Sequence, residues 1–168
     1  AGFGEIVKCG FIAEPEILDI IERDVASATD TESEAFHRLV ELSVGVKARV
    51  VGEDFRESGP REILNYGHTV GHAIEYAERF RWRHGDAVAV GMVFAAELAR
   101  LAGRLSDDVV ERHRSILTSI GLPVTYPVGR WNTLVSVMKR DKKARGDLMR
   151  FVILDGIARP TILAGPDE

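Results

Sequence analysis

Apolar residues recur at helical spacing along most of the chain. In residues 31–51, Leu39, Leu42, Val46 and Val50 fall on one face of a helix. The same periodicity predicts seven helices, at about residues 2–10, 14–27, 31–51, 61–80, 87–102, 106–120 and 129–139. The third of these would be capped by Asp30 or Thr31. Residues 87–102 are apolar or small nearly all round, which indicates a helix buried at the centre of the domain.

The C-terminal part of the chain follows a different pattern. Two short, partly β-branched runs, at 149–154 and 159–163, flank Asp155-Gly156, which is a typical hairpin turn. No repeat, low-complexity tract or long linker interrupts the 168 residues, which suffice for one compact domain. We therefore predict a mainly α fold, a helical domain of about seven helices with a small C-terminal β-hairpin.

Charge and composition exclude several classes of protein. The 22 basic and 26 acidic residues are interleaved and form no basic stripe of the kind that binds nucleic acid. His37 and His113 lie among these charges, and we predict them to be exposed and without a role. No apolar run approaches the roughly 20 residues of a membrane span. The single cysteine, Cys9, is predicted to be a small buried hydrophobe in a cytoplasmic protein. Because the chain opens with Ala-Gly-Phe-Gly and no methionine, we interpret it as a fragment of a longer protein.

Residues 61–75 carry the strongest chemical signal. If this segment is one helix, the spacing i, i+4, i+7, i+11 places four polar side chains on one face: Arg61, Asn65, His68 and His72. Two histidines four residues apart can bind one metal ion. A single helix histidine is more often a surface or hydrogen-bonded residue, but the pair, with arginine and asparagine beside it, favours a site. The pattern alone names neither the metal nor the reaction.

Two further residues are candidates for the same site. His84 lies in a predicted turn and could fold back over the preceding helix, although simple capping or exposure fits the sequence equally well. Glu5 lies among apolar neighbours, where an unpaired carboxylate is costly to bury, and a metal ion or Lys8 would relieve that cost. Gly67 and Gly71 lie beside the histidines. Glycine costs a helix about 1 kcal/mol relative to alanine, so they indicate close approach by another backbone or a ligand.

Four separated motifs resemble those of the 3-dehydroquinate synthases. They are Gly-x-x-Glu-x-x-Lys at 2–8, Arg-x-x-Leu-Asn-Tyr-Gly-His-Thr-x-Gly-His-Ala-x-Glu at 61–75, His-Gly-Asp-Ala-Val at 84–88, and Asp-Lys-Lys at 141–143. Order and spacing are kept over essentially the whole chain, and Tyr66, where phenylalanine is common, is at no functional position. The resemblance implies the helical, metal- and substrate-binding domain of that family, across residues 1–168.

The resemblance also implies roles for individual residues. The zinc (or cobalt) ligands would be Glu5, His68 and His84, whereas spacing alone would pair His68 with His72. Substrate contacts are implied for seven residues: Lys8, Lys47, Glu57, Arg61, Asn65, His72 and Lys142. Lys143 could take the place of Lys142 in a predicted charged loop.

The activity implied by the resemblance belongs to the shikimate pathway of aromatic amino acid biosynthesis. Family members convert 3-deoxy-D-arabino-heptulosonate 7-phosphate to 3-dehydroquinate and phosphate. NAD+ would be held mainly by an N-terminal domain absent from this chain, since no glycine-rich turn joins a strand to a helix here. We therefore expect an inactive isolated chain and, for the complete protein, a homodimer. The alternatives are another sugar-phosphate cyclase of the same superfamily and a non-enzymatic helical interaction domain with structural histidines.

Overall fold

The structure is a computed structural model that describes residues 2–54, 60–145 and 149–164, without the side chains of 53, 54, 60 and 141–145. Eight α-helices in these residues are α1 (Gly2–Ile12), α2 (Glu16–Arg23), α3 (Val25–Thr29), α4 (Glu34–Asp54), α5 (His68–Ala77), α6 (His84–Leu101), α7 (Asp107–Ser119) and α8 (Trp131–Arg145). A 3-10 helix covers Pro60–Asn65, and strands β1 (Arg150–Leu154) and β2 (Pro160–Ala164) pair antiparallel. The predicted mainly helical domain with a C-terminal hairpin is confirmed.

Helix α6 lies at the centre of the domain, as its apolar sequence predicts. It packs against α1, α5, α7 and β1, and most of its residues are buried. The main core around it takes Phe11, Ile17, Leu39 and Leu117 from four other helices. Cys9 is buried in the same core, as predicted. Across the described residues, no helix combines the length and the apolarity that a membrane span requires.

The prediction of one helix over residues 61–80 is wrong. The chain runs as a 3-10 helix to Asn65, turns at Gly67 in a left-handed conformation with φ 77°, and starts α5 at His68. A Cβ atom built on Gly91 of α6 would overlap the carbonyl oxygen of Gly67. The turn thus lies directly against the α6 backbone, which confirms the close approach predicted from the glycines, and the four polar residues do not share one helix.

Two further differences from the predicted helix boundaries have a local cause. The helix expected over 14–27 is divided at Asp24, whose extended backbone ends α2 and whose carboxylate accepts a hydrogen bond from the Ser27 amide at 3.1 Å to cap α3. Helix α4 is capped by Ser33, whose hydroxyl accepts from the Phe36 amide at 2.9 Å, and not by Asp30 or Thr31. In both places a local side chain to backbone bond decides the boundary.

The prediction that His113 is exposed is also wrong, whereas His37 is exposed as expected. His113 is fully buried and stacks on Phe11 with ring centroids 3.5 Å apart. Its Nδ1 donates to the carbonyl of Val109 at 2.7 Å, and its Nε2 accepts from the hydroxyl of Tyr66 at 2.9 Å. Burial disfavours the charged imidazolium and lowers the pKa of His113 to about 4.

We expect the stability of this domain to fall between pH 6.5 and about pH 4. Over this window the unfolded state protonates His113 at its ordinary pKa while the folded state keeps the ring neutral, so acid favours unfolding. At about pH 4 the resulting loss in the free energy of unfolding amounts to roughly 3 kcal/mol. Urea unfolding across this range measures it, with His113→Gln as the reference, because glutamine can still accept from Tyr66 and does not titrate. Parallel pH curves for the two proteins would contradict the prediction.

We expect Gly91→Ala to lower the free energy of unfolding by about 1–3 kcal/mol or more. The new methyl group must displace the backbone of Gly67, which cannot move aside as a flexible side chain can. Gly45→Ala in α4 is the matched control, since nothing lies within 4 Å of its Cβ position. That substitution should raise stability by about 0.5–1 kcal/mol, the ordinary preference of a helix for alanine. The denaturant midpoint of each variant, compared with that of the unsubstituted protein, measures the two changes. Equal shifts of the midpoint in Gly91→Ala and Gly45→Ala would rule out the backbone contact.

Candidate metal centre

Three side chains from three helices converge on one point. They are Glu5 of α1, His68 at the start of α5 and His84 at the start of α6, and their ligand atoms all lie within 4.8 Å of one another. Oε1 of Glu5 lies 3.3 Å from Nε2 of His68 and 3.7 Å from Nε2 of His84. The residues that the family resemblance implies as metal ligands are therefore adjacent in space.

Close backbone contacts bring these helices together. A Cβ atom on Gly4 would lie 2.6 Å from the carbonyl oxygen of Gly85, so α1 contacts the first turn of α6 and Glu5 lies next to His84. The contact of Gly67 with Gly91 holds the residue before His68 against α6 in the same way. Any larger residue at these glycines would separate the helices that carry the donors.

The imidazole of His68 is held by its backbone neighbour. Its Nδ1 lies 3.1 Å from the carbonyl oxygen of Tyr66, which can only accept, so Nδ1 carries a proton and Nε2, which faces Glu5, is the nitrogen available to bind an ion. Metal-binding histidines commonly donate their other ring nitrogen to such a group. Because Tyr66 is fully buried, this carbonyl is a fixed anchor.

His84 reaches the site through a strained turn that the sequence pattern does not reveal. Arg79 and Phe80 both adopt left-handed backbone conformations, with φ 53° and 58°, each of which costs about 1–2 kcal/mol in a residue other than glycine. The amide of Phe80 donates to the carbonyl of Glu75 at 2.7 Å, which closes the turn on the end of α5. The sequence pattern places His84 in a turn before this helix, whereas in the structure His84 is the first residue of α6. Its Nδ1 lies 3.2 Å from Oε1 of Glu75.

Two lysines neutralise the other edge of the Glu5 carboxylate. Nζ of Lys8 donates to both oxygens, at 2.9 and 3.1 Å, and Nζ of Lys47 lies 3.2 Å from Oε2. Burial alone would raise the pKa of Glu5, but the hydrogen bond with His68 and the charge of Lys8 together hold this pKa far below its usual range. Burial also lowers the pKa of Lys8, which is 2 % exposed, although Glu5 opposes that change. The carboxylate is therefore ionised, with Oε1 facing the imidazoles and Lys8, and Oε2 facing Lys8 and Lys47.

This donor set fits a zinc ion. Tetrahedral zinc with bonds of about 2.0–2.1 Å separates neighbouring ligand atoms by about 3.3–3.5 Å. The measured separations from Oε1 of Glu5 to the two Nε2 atoms are 3.3 and 3.7 Å. One carboxylate and two neutral imidazoles are typical zinc ligands, and three protein ligands leave a further position open, as in catalytic sites.

His72 belongs to a different group of donors from His68. Within the described part of the chain, the second group of possible ligand atoms consists of His72, Glu75 and His84, again within 4.8 Å. The His72 ring is exposed, and its centroid lies 5.2 Å from that of His68 and 6.1 Å from that of His84. Helical spacing alone would pair His68 with His72, but the structure groups His68 with Glu5 and His84. His72 lies at the rim of the site.

The other predicted site residues are distributed unevenly. Lys8 and Lys47 lie in the site, while Arg61 and Asn65 are exposed on the 3-10 helix that leads into it. Glu57 lies outside the described residues. The backbone of residues 141–143 belongs to α8, so the predicted charged loop is wrong there, and the side chains of Lys142 and Lys143 are outside the described set.

A separate apolar cavity of about 380 Å³ lies on the opposite face of α5. Its walls include Val70 and Ile74 of α5, Phe94 of α6 and Trp131 of α8. The donors His68, His72 and Glu75 project from the other side of the helix, in keeping with helical spacing. The cavity is therefore distinct from the metal centre.

Comparisons with known proteins place the whole chain beside the 3-dehydroquinate synthases. A 3-dehydroquinate synthase of Leifsonia xyli subsp. xyli is 74% identical over 168 residues, which cover 100% of this chain and 47% of the relative. The chain thus spans about half the length of the curated relatives that it matches. Among solved structures, 2-epi-5-epi-valiolone synthase (ValA) of Streptomyces hygroscopicus subsp. jinggangensis, with NAD+ and Zn2+ bound, has a TM-score of 0.87 at 21% identity, over 99% of this chain and 47% of that one. That similarity concerns the fold alone.

A second solved structure is similar in sequence as well. It is 2-deoxy-scyllo-inosose synthase complexed with carbaglucose-6-phosphate, NAD+ and Co2+, with a TM-score of 0.79 at 28% identity over 97% of this chain and 48% of that one. Residues 2–144 match the family model described as 3-dehydroquinate synthase C-terminal. With a match over so much of its length, and with the donors of the family's motifs gathered at one point, this chain belongs to the 3-dehydroquinate synthase C-terminal family.

Proposed function

We propose that the protein containing this chain is a 3-dehydroquinate synthase, which converts 3-deoxy-D-arabino-heptulosonate 7-phosphate to 3-dehydroquinate and phosphate. This chain would supply the metal- and substrate-binding half. The convergence of Glu5, His68 and His84 is the observation that carries the proposal, in a chain 74% identical to a relative of that name. A non-enzymatic interaction domain is less favoured, because a partly buried carboxylate between two imidazoles and two ammonium groups is expensive to desolvate and unnecessary for packing.

The ion in this site would be zinc, or cobalt as in 2-deoxy-scyllo-inosose synthase. It would be held by Oε1 of Glu5 and by Nε2 of His68 and His84, the atoms that face one another. When bound, such an ion would polarise a substrate oxygen as a Lewis acid.

The residues around the metal position suit an anionic, polyhydroxylated substrate. Lys8 and Lys47 would hold anionic oxygens, and Arg61 can bind a carboxylate or phosphate through two parallel hydrogen bonds. Asn65 and His72, at the rim, would orient hydroxyl groups or transfer protons to and from them. Glu57 and Lys142 are proposed as substrate contacts from the family resemblance alone.

We also propose that NAD+ is held mainly by residues outside this chain. The chain spans 47% of its relative, and the sheet in the described residues is a two-stranded antiparallel hairpin, which offers no crevice between parallel strands for a dinucleotide. The family resemblance further supports a homodimer, and the single buried cysteine is compatible with the cytoplasm.

A second candidate function is another sugar-phosphate cyclase. The 28% identity with 2-deoxy-scyllo-inosose synthase favours it, whereas the 74% identity with a 3-dehydroquinate synthase favours the first proposal. The two are distinguished by comparing turnover of 3-deoxy-D-arabino-heptulosonate 7-phosphate by the complete protein with turnover of glucose 6-phosphate, whose carba analogue is bound in the 2-deoxy-scyllo-inosose synthase structure. Turnover of glucose 6-phosphate without formation of 3-dehydroquinate would replace the first proposal with the second.

We expect His68→Ala and His84→Ala each to weaken zinc binding by roughly 100-fold or more, because each removes one of three protein ligands. His37→Ala is the control, since His37 is exposed on α4 away from the site. Competition with a chromophoric chelator and metal analysis of the purified proteins measure the change. Equal zinc content in all three variants would argue against the metal centre.

We expect Lys8→Met to lower kcat/KM of the complete protein roughly 100- to 1000-fold, the usual effect of removing one preorganised charged contact. Among the described residues of the site, Lys8 is the most deeply buried cation, so its ammonium group is held in one position. Arg23→Met, exposed at the end of α2, controls for the loss of one positive charge. Steady-state kinetics with the zinc content measured in parallel separates a substrate effect from a metal effect. Unchanged kinetics in Lys8→Met would remove this residue from the proposed site.

A further inference from the structure

Glu75 contacts the metal centre but has no part in the function proposed above. It lies on α5, facing the first turn of α6, and its side chain is only 13% exposed. Its Oε1 is 3.2 Å from Nδ1 of His84, while Nε2 of the same ring is 3.7 Å from Oε1 of Glu5. The His84 imidazole therefore lies between two carboxylates, one at each nitrogen.

We propose that Glu75 is a positioning residue for the metal ligand His84, an inference that rests on the metal site proposed above. The N–H at Nδ1 donates to the Glu75 carboxylate, which keeps a proton on Nδ1 and leaves Nε2, on the side of Glu5 and His68, as the nitrogen that would bind the ion. The hydrogen bond also fixes the rotation of the ring. A carboxylate partner makes the imidazole a stronger donor to the metal.

A comparison of the two imidazoles explains why His84 needs such a partner. The side chain of His68 is 13% exposed and its Nδ1 is held by the buried carbonyl of Tyr66. The side chain of His84 is 40% exposed and begins a helix directly after the turn at Arg79 and Phe80. Without Glu75, its ring could turn toward solvent or place the proton on Nε2, where it would face the ion. The two ligands thus share one arrangement, with Nδ1 anchored and Nε2 available.

The grouping of His72, Glu75 and His84 admits another interpretation, a second ion bound between them. A neutral imidazole has one lone pair, so Nδ1 and Nε2 of His84 cannot both bind metal unless the ring loses its last proton. A hydrogen bond from Nδ1 to Glu75 requires no such loss and leaves Nε2 for one ion. His72 is also exposed, which would leave a second ion poorly enclosed. The geometry therefore favours one ion and one hydrogen bond.

Three substitutions in the complete protein test this role. Glu75→Ala removes the acceptor and should weaken zinc binding about 10- to 100-fold in competition with a chromophoric chelator. Glu75→Asp keeps the charge but shortens the side chain, so it should weaken binding by a similar factor. Glu75→Gln loses the charge but keeps a carbonyl oxygen at the same reach, so it should recover most of the affinity. Glu78→Gln is the charge-matched control, because Glu78 bonds to Tyr126 and Arg130 and not to His84.

The visible spectrum of the cobalt-substituted proteins is the second measurement, since it responds to ligand geometry and not to overall stability. We expect altered absorption bands for Glu75→Ala and Glu75→Asp, and bands close to those of the unsubstituted protein for Glu75→Gln and Glu78→Gln. Unchanged affinity and spectrum in Glu75→Ala and Glu75→Asp would overturn the positioning role and leave the proposed metal site intact. Two zinc ions per chain, falling to one in Glu75→Ala, would overturn it in favour of the second ion. An unsubstituted protein that binds no zinc would overturn the metal site itself.

Discussion

The contact between the α6 backbone and two glycine-containing segments determines where every donor side chain lies. Gly4 of α1 meets the backbone of Gly85, and Gly67 meets that of Gly91, at separations that no Cβ atom would allow. The first contact places Glu5 beside the start of α6, and the second places His68 at the start of α5. Helices usually pack through side chains at 8–10 Å or so between axes, and replacing side chains by backbone at these points draws polar groups from three helices into one small volume.

The Glu5 carboxylate connects this packing to chemistry. Both imidazoles, of His68 and His84, lie at Oε1, Lys47 lies at Oε2, and Lys8 donates to both oxygens. A buried charge is tolerated only when it is paired and hydrogen-bonded, and here the lysines provide the pairing independently of an ion. The protein can therefore keep the carboxylate ionised and its Oε1 directed at the metal position, which is the form that binds a cation.

Local sequence patterns were sufficient for the mainly helical fold with its hairpin, and insufficient where distant residues decide. The apolar α6, the hairpin around Asp155 and the polar character of the His68 segment all follow from periodicity and turn chemistry. The break at Gly67 was missed because the hydrophobic period continues across it, and the reason for the break is Gly91 on another helix. Prediction of Glu5 and His84 as ligands came from the family resemblance, since nothing in their immediate neighbours distinguishes a ligand from a helix cap.

Two further misses have different physical causes. His113 lies on the same α7 face as Val110 and Leu117, so its burial was accessible from helical spacing, although its partner Tyr66 was not. The contact of Glu75 with His84 depends on the turn at Arg79 and Phe80. Neither residue is a glycine, so their left-handed conformations could not be read from composition. The roles of Glu57 and Lys142 remain predictions from the resemblance.

The turn at Arg79 and Phe80 has a mechanical consequence. It joins Ala77 at the end of α5 to His84 at the start of α6 by a short connection, and amides within it are bonded back to α5. Residues with Cβ atoms keep left-handed conformations only where the surrounding structure holds them, and here the hydrogen bonds back to α5 restrain the connection. We therefore expect any closing movement of a larger protein around its substrate to carry α5 and the start of α6 together, and with them the imidazoles of His68 and His84.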